Sequence, residues 1–276
     1  MPELPEVETV RRTLKPAVIG KTFHTIDVRF ARMVLPETPE SFTERLKGQT
    51  INDIKRLGKY LIFVLSQDTL LVHLRMEGKF FIKPSSVPIS KHEHVIFYFT
   101  DQTSLRYDDV RKFGTLTIKK PADVYITPPL SLLGYEPHHP HLTVAYLKEK
   151  FASTRMIKPV LLDQTIILGL GNIYVDEVLF CAKIKPTQRA HRLSKNTIDK
   201  IITCAEKVID KAIALGGSSI RSYTDSLGVT GRFQNELMVH LRQGEPCKVC
   251  ATPIVKTKVA QRGTYYCPRC QSGRKK

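Results

Sequence analysis

Four cysteines near the C-terminus constrain this chain more than any other feature. Cys247-x2-Cys250 is followed by Cys267-x2-Cys270, with 16 residues between the pairs. Each Cys-x2-Cys turn aims two sulfurs at one point, and four thiolates in a tetrahedron suit a structural zinc with no position left for an activated water. The interval is that of a two-knuckle zinc site. Between the pairs, Ile254–Ala260 and Gly263–Tyr266 read as two strands joined at Gln261-Arg262-Gly263, so residues 241–276 are expected to form a zinc ribbon holding one structural Zn2+. Two disulfides are the other use of such a quartet. The first nine residues, MPELPEVET, carry three glutamates and no basic residue, unlike a secretory signal, which places the chain in a reducing cytoplasm and disfavours disulfides. Cys181 and Cys204 fall on apolar helical faces and are expected to be buried packing residues.

Charge narrows the partners. Lys and Arg number 43 against 26 Asp and Glu, a net charge of +17, and the surplus is uneven: +5 over residues 1–130 and +12 over residues 131–276. The last 36 residues hold nine basic side chains and one acid, Glu245. Such a distribution points to a polyanionic partner, with nucleic acid ahead of acidic membrane because no basic amphipathic helix stands out, and equally to charge that only keeps the protein dispersed. No apolar run approaches the roughly 18 residues of a membrane span.

At 276 residues the chain suits two modest domains. It opens with a helix: Pro5 fits the first helical position, Glu6 and Glu8 favour its positive end, Val7, Val10 and Leu14 share a face, and Pro16 and Gly20 end it. From Thr22 to Lys119 the period shortens to β-rich runs at Leu61–Leu65, Leu70–Leu74, Lys79–Ile82, His94–Thr100, Ser104–Tyr107 and Thr115–Ile118, a β-sandwich pattern. Helical segments follow at Thr143–Phe151, Ile157–Thr165, Asn172–Cys181 and Ser194–Leu215, the last stopped by Gly216-Gly217. The fold class is therefore α+β: a β-sandwich over 1–120, a proline-rich linker over 121–140, a helical domain over 141–240 and the ribbon over 241–276. The Gly169-Leu170-Gly171-Asn172 turn starts a helix directly, and such an end favours phosphate.

The N-terminus offers specific chemistry. Trimming of Met1 exposes the secondary amine of Pro2, and an α-amino group, with a pKa of about 7.7–8.0, is partly neutral near pH 7. Attack on a sugar C1′ gives an iminium that keeps its charge without a proton and permits elimination. Glu3 is positioned to move protons. On residues 1–3 alone, Pro2 reads first as a spacer before the helix.

The stretches Met1–Glu8 (MPELPEVE), Gly58-Lys59-Tyr60, His73–Gly78 (HLRMEG), Asp109–Gly114 (DVRKFG) and Gly171–Glu177 (GNIYVDE), with the four cysteines, resemble the bacterial formamidopyrimidine-DNA glycosylase branch of the formamidopyrimidine-DNA glycosylase/endonuclease VIII family, end to end. The resemblance implies an N-terminal β-sandwich with flanking helices, a helix–two-turn–helix module and a zinc ribbon, with damaged double-stranded DNA in the cleft between the halves. It implies a monomeric, cytoplasmic base-excision repair glycosylase and AP lyase that removes oxidised purines such as 8-oxoguanine and formamidopyrimidines. Pro2 is then the Schiff-base nucleophile, Glu3 the proton donor, and Lys59 a phosphate-holding residue beside the reacting sugar. His73 and Asn172 are implied phosphate ligands, and Arg262 grips phosphates flanking the lesion. Met76, Arg111 and Phe113 correspond to residues that fill the gap left by an everted base. Glu77 and the loop residues Ser218, Ser219, Ile220, Arg221, Ser222 and Tyr223 would line the lesion pocket.

Two positions depart from the family pattern: His240-Leu241 stands where a tyrosine-glycine pair is usual, and Gln261 where a glycine precedes the arginine. The first removes an expected tyrosine–phosphate contact and the second alters the turn. The alternatives are an endonuclease VIII-type enzyme for oxidised pyrimidines and a non-catalytic zinc-ribbon DNA binder. Leu4 and Arg111-Lys112-Phe113 favour the purine branch.

Overall fold

The structure is a computed structural model that describes residues 1–218 and 231–272. Helix α1 (Leu4–Val18) begins with a reciprocal capping box in which the Glu3 carboxylate accepts the Glu6 backbone N–H and the Glu6 carboxylate accepts the Glu3 N–H at 2.8 Å. Val7, Val10, Leu14 and Val18 form its buried stripe. The expected stop at Pro16 is corrected: the helix passes through it to Val18. A proline this close to the end removes one hydrogen bond without disturbing the turns before it.

Eight strands follow: β1 (Phe23–Val28), β2 (Ile51–Leu57), β3 (Tyr60–Leu65), β4 (Thr69–His73), β5 (Lys79–Pro84), β6 (Glu93–Phe99), β7 (Thr103–Asp108) and β8 (Thr115–Lys119). They form two antiparallel four-stranded sheets, β1-β6-β7-β5 and β2-β3-β4-β8. Inner-face residues of both sheets, including Phe63, Val72, Phe80, Phe97 and Leu116, join the α1 stripe in one buried cluster. Between β1 and β2, helix α2 (Pro39–Leu46) is capped by the Thr38 hydroxyl and buries Phe42 and Leu46.

The helical segments are α3 (Val144–Lys150), α4 (Ile157–Leu161), α5 (Asn172–Cys181) and α6 (Lys195–Ala214). Helix α4 stops short of the expected Thr165, because the Asp163 carboxylate accepts the Thr165 N–H and hydroxyl and turns the chain. Strands β9 (Val255–Val259) and β10 (Arg262–Tyr266) form the ribbon hairpin. Cys181 and Cys204 are bonded to each other, which corrects their reading as separate packing residues. Helices α5 and α6 pack together, and the two Cα atoms lie 5.8 Å apart. Cys204 is buried as expected, whereas Cys181, the last residue of α5, is exposed, and the helix pairing that brings them together was not readable from sequence.

The chain divides into two compact units. The first comprises Met1–Ser131 with, among the described residues, 216–218 and 231; the second comprises Leu132–Leu215 and residues 232–272. Among the described residues no helix is long and apolar enough to cross a membrane.

Candidate active site and metal centre

Strand register gathers the first unit's site residues at one end of the sandwich. Leu57 pairs with Tyr60, Tyr60 with His73 and His73 with Thr115, so this row closes one end of the β2-β3-β4-β8 sheet. Beyond it lie the Gly58-Lys59 turn, the Leu74–Gly78 segment and residues Arg111, Phe113 and Gly114. Helix α1 points the same way. Lys15 pairs with Asp53 at 2.7 Å and Glu8 with Arg56 at 3.0 Å, so moving toward the helix start means moving along β2 toward Gly58. Pro2 and Glu3, both buried, therefore reach toward the Lys59 end.

Buried charges brace this arrangement. Glu8 accepts hydrogen bonds from Arg11, Arg12 and Arg56, and Arg56 also donates to the Gly58 carbonyl at 3.0 Å, tying α1 to the turn that carries Lys59. Burial raises the Glu8 carboxyl, but the three guanidinium bonds outweigh it and bring the pKa down to about 2. Lys59 is buried. His73 stands edge-on to Tyr60, and its Nδ1 accepts the Arg75 N–H at 2.9 Å. Burial, with the charges of Arg75 and Lys59 beside it, pushes His73 down to about 3, so the ring is neutral at physiological pH. A phosphate contact from His73 is then a neutral N–H donation.

The two loops beyond this end have rigid bases and accessible tips. Asp109 is fully buried, and its carboxylate accepts the N–H groups of Arg111, Phe113 and Gly114 at 2.8–3.0 Å. Phe113 is 52% exposed, and the Arg111 guanidinium lies over its ring, 4.9 Å from the centroid. Met76 and Glu77 are half-buried in the other loop. An exposed phenylalanine on a carboxylate-pinned loop can wedge between bases. Of the expected lesion pocket, Ser218 is buried and gives its N–H to Glu6 Oε1 at 2.7 Å. Ser219, Ile220, Arg221, Ser222 and Tyr223 lie outside the described residues.

In the second unit, α5 anchors the ribbon. Asp176 is fully buried and binds Lys158 Nζ at 2.7 Å, His240 Nδ1 at 2.8 Å and the Tyr265 N–H at 3.2 Å. Lys158, also fully buried, donates to the Gly263 carbonyl at 3.0 Å, as does the Asn172 side-chain amide. The Asn172 side chain thus ties the start of α5 to the hairpin. Glu177 accepts the N–H groups of Met238, Val239 and His240, while its burial raises its pKa. His240, at the departing position, is built into this network with its ring edge-on to Tyr265.

The four cysteine sulfurs lie within 4.8 Å of one another, with Cys250–Cys267 at 3.4 Å and Cys247–Cys270 at 3.9 Å. A ZnS4 tetrahedron with bonds of roughly 2.3 Å needs sulfurs about 3.8 Å apart, so the quartet fits zinc. The Val249 and Cys270 amides point at Cys247 and Cys267 sulfurs, as expected where thiolates need neutralising. Arg262 is exposed at the first position of β10, beside a turn in which Ala260 and Gln261 have φ of 46° and 64°.

Lys158, Asp176, Glu177, Arg56 and Asp109 were not singled out by sequence reasoning. Asp176, Glu177 and Asp109 sit inside quoted motifs, and for Asp176 and Glu177 the available signal was two adjacent carboxylates in an otherwise apolar helix. Lys158 carried none.

Family models agree with this layout. The formamidopyrimidine-DNA glycosylase N-terminal domain matches residues 1–116, the formamidopyrimidine-DNA glycosylase H2TH domain residues 133–224, and the zinc finger found in FPG and IleRS residues 244–273. The formamidopyrimidine-DNA glycosylase of Exiguobacterium sp. is 49% identical over 273 residues, covering 98% of this chain and 99% of that protein. The Bacillus subtilis enzyme is 47% identical over 274 residues, 99% of each. A Lactococcus lactis FPG mutant in complex with a Fapy-dG containing DNA has a TM-score of 0.93 at 44% identity, covering 98% of this chain and 99% of that one. The wild-type Lactococcus lactis protein with an oxidized pyrimidine containing DNA has a TM-score of 0.91 at 43% identity and the same coverage. Fold and metal centre together define a zinc-ribbon DNA-repair glycosylase with a helix–two-turn–helix module. The chain belongs to the formamidopyrimidine-DNA glycosylase family.

Proposed function

We propose that the chain excises oxidised purines from duplex DNA and cleaves the resulting abasic site, using the Met1-trimmed nitrogen of Pro2. The observation that carries this reading is the convergence of Pro2, Glu3 and the Lys59 turn at one end of the sandwich. The proline nitrogen bonds to C1′ as the glycosidic bond breaks and the base departs with the electron pair. Glu3 supplies a proton that opens the sugar ring, leaving an iminium between Pro2 and C1′. Loss of a C2′ proton then expels the 3′ phosphate, and a second elimination expels the 5′ phosphate. Lys59 holds a phosphate beside this sugar and His73 donates a neutral N–H to another. Met76, Arg111 and Phe113 occupy the vacated base position, and Glu77 with residues 218–223 faces the everted base.

Asn172 and Arg262 bring the second unit's phosphate contacts. The zinc, held by Cys247, Cys250, Cys267 and Cys270, supplies structural rigidity: it fixes the hairpin on which Arg262 is mounted. The protein acts as a monomer in the bacterial cytoplasm.

A lesion panel tests the assignment. Duplexes containing 8-oxoguanine, formamidopyrimidine or thymine glycol are incubated with the zinc-loaded, Met1-trimmed protein. The reading expects faster turnover of both purine lesions, and clear preference for thymine glycol rejects it. The Lactococcus lactis complex with oxidised-pyrimidine DNA makes that arm necessary.

A further inference from the structure

The two loops assigned to the vacated base position meet a single buried side chain, Tyr107. It lies on β7, is fully buried, and packs edge-on against Phe80 at 5.1 Å. Its neighbours across the sheet, Phe80 and Val95, place it just inside the row where Lys79 pairs with Asp108. Its phenol end reaches Gly78, which closes the Met76 loop, and Gly114, which closes the Arg111–Phe113 loop. A Cβ added at either glycine would overlap the Tyr107 hydroxyl, and at Gly114 it would also come within 2.6 Å of the ring carbon bearing that hydroxyl.

The two loops cross between the sheets in opposite senses. Residues 74–78 lead from β4 to β5, and residues 109–114 lead from β7 to β8. The strand register joins their ends, His73 to Thr115 and Lys79 to Asp108, but pairs no residue within either loop, and the group packed against both at Gly78 and Gly114 is Tyr107. Asp109 shapes the second loop internally, and the Gly78 N–H to Leu74 carbonyl bond of 3.0 Å shapes the first. Neither sets the distance from one loop to the other.

We infer that Tyr107 is a positioning residue, its hydroxyl the spacer that sets Met76 and Phe113 at the separation needed to enter one base-sized gap. The inference rests on the proposed role of these loops. A stacked base leaves a gap only about 3.4 Å thick, so a small shift in either loop misplaces the wedge. Both motifs end in glycine because the spacer occupies the volume of a side chain there.

The test compares Tyr107→Phe, Gly114→Ala, Phe113→Ala and Arg111→Ala in the zinc-loaded, Met1-trimmed protein. Single-turnover excision is measured on duplex 8-oxoguanine opposite cytosine. Strand cleavage is measured on a single-stranded oligonucleotide with a preformed abasic site, where no gap must be filled. Tyr107→Phe, checked for folding by thermal unfolding, is expected to lose about tenfold or more in duplex excision, with single-strand cleavage within about twofold of wild type. Gly114→Ala is expected to do the same, and decides the matter if Tyr107→Phe does not fold. Equal loss on both substrates, or wild-type duplex excision by both variants while Phe113→Ala is impaired, overturns the inference. Wild-type duplex excision by both Phe113→Ala and Arg111→Ala instead overturns the loop reading beneath it.

Discussion

Glu8 and His73 are both buried beside cations, and the same surroundings move them to opposite charge states. Three guanidinium bonds keep Glu8 ionised down to about pH 2, whereas burial and two neighbouring positive charges keep His73 neutral down to about pH 3. Both folded-state pKa values lie below the usual ones of 4.5 and 6.5. For His73 the unfolded chain takes up a proton that the folded chain refuses, so its share of stability falls as pH drops from about 6.5 toward 3. Glu8 adds stability that is complete above pH 4.5 and is lost as pH falls toward 2. Urea unfolding of wild type and His73→Gln at pH 7 and pH 5 checks the first sign: the wild type loses more stability between the two, and an equal loss contradicts the assignment. Lys158 gives a second prediction. Replacing it with Met strands Asp176, fully buried, without its cation, at a cost of about 3–5 kcal/mol in unfolding free energy. The place of Glu3 beside Pro2 was legible in the sequence because it is local, but its role in the capping box with Glu6 was not read there. Lys158 was not legible, because its partners Asp176 and Gly263 lie 18 and 105 residues away.

Elements were legible in proportion to how much of their pattern is internal. Helix α5 matches its expected span, and the six named strands appear with small changes at their ends. Strands β1 and β2 were missed because only every third residue is buried, the charged and polar sides of each obscuring alternation. Helix α2 was missed for its brevity: its evidence is a Thr38 cap and two buried residues, Phe42 and Leu46. The ribbon turn shows what the Gln261 departure does. Val259 pairs with Arg262, so Ala260 and Gln261 are the two central residues of a tight hairpin turn, both left-handed. Non-glycine residues there cost roughly 1–2 kcal/mol each. Gln261→Gly is therefore expected to stabilise the zinc-loaded protein by about 1 kcal/mol in thermal unfolding, and an unchanged or lower midpoint contradicts that account. The Cys181–Cys204 bond is checked by thiol titration of unreduced, denatured, metal-stripped protein, which should find four thiols and would find six if the pair were free.

Across the whole molecule, charge and metal serve the same task. The surplus of +17, weighted toward the C-terminal half, makes affinity for undamaged duplex fall steeply with salt as counterions are released. The ribbon's small apolar cluster of Phe180, Val239, Ile254 and Tyr265 includes two of the cysteines, so the hairpin depends on the metal for much of its order. Stripping zinc should weaken duplex binding while leaving the unfolding of the sandwich largely in place. All of the proposed chemistry converges on one atom, the nitrogen of Pro2, which is an amide while Met1 remains. The decisive measurement is borohydride trapping on an 8-oxoguanine duplex with two preparations, one fully trimmed and one retaining Met1, both verified by intact mass. The trimmed protein should form a covalent adduct and cut the strand, while the blocked protein binds undamaged duplex equally well and does neither. Adduct formation and full-rate cleavage by the blocked form would contradict the account.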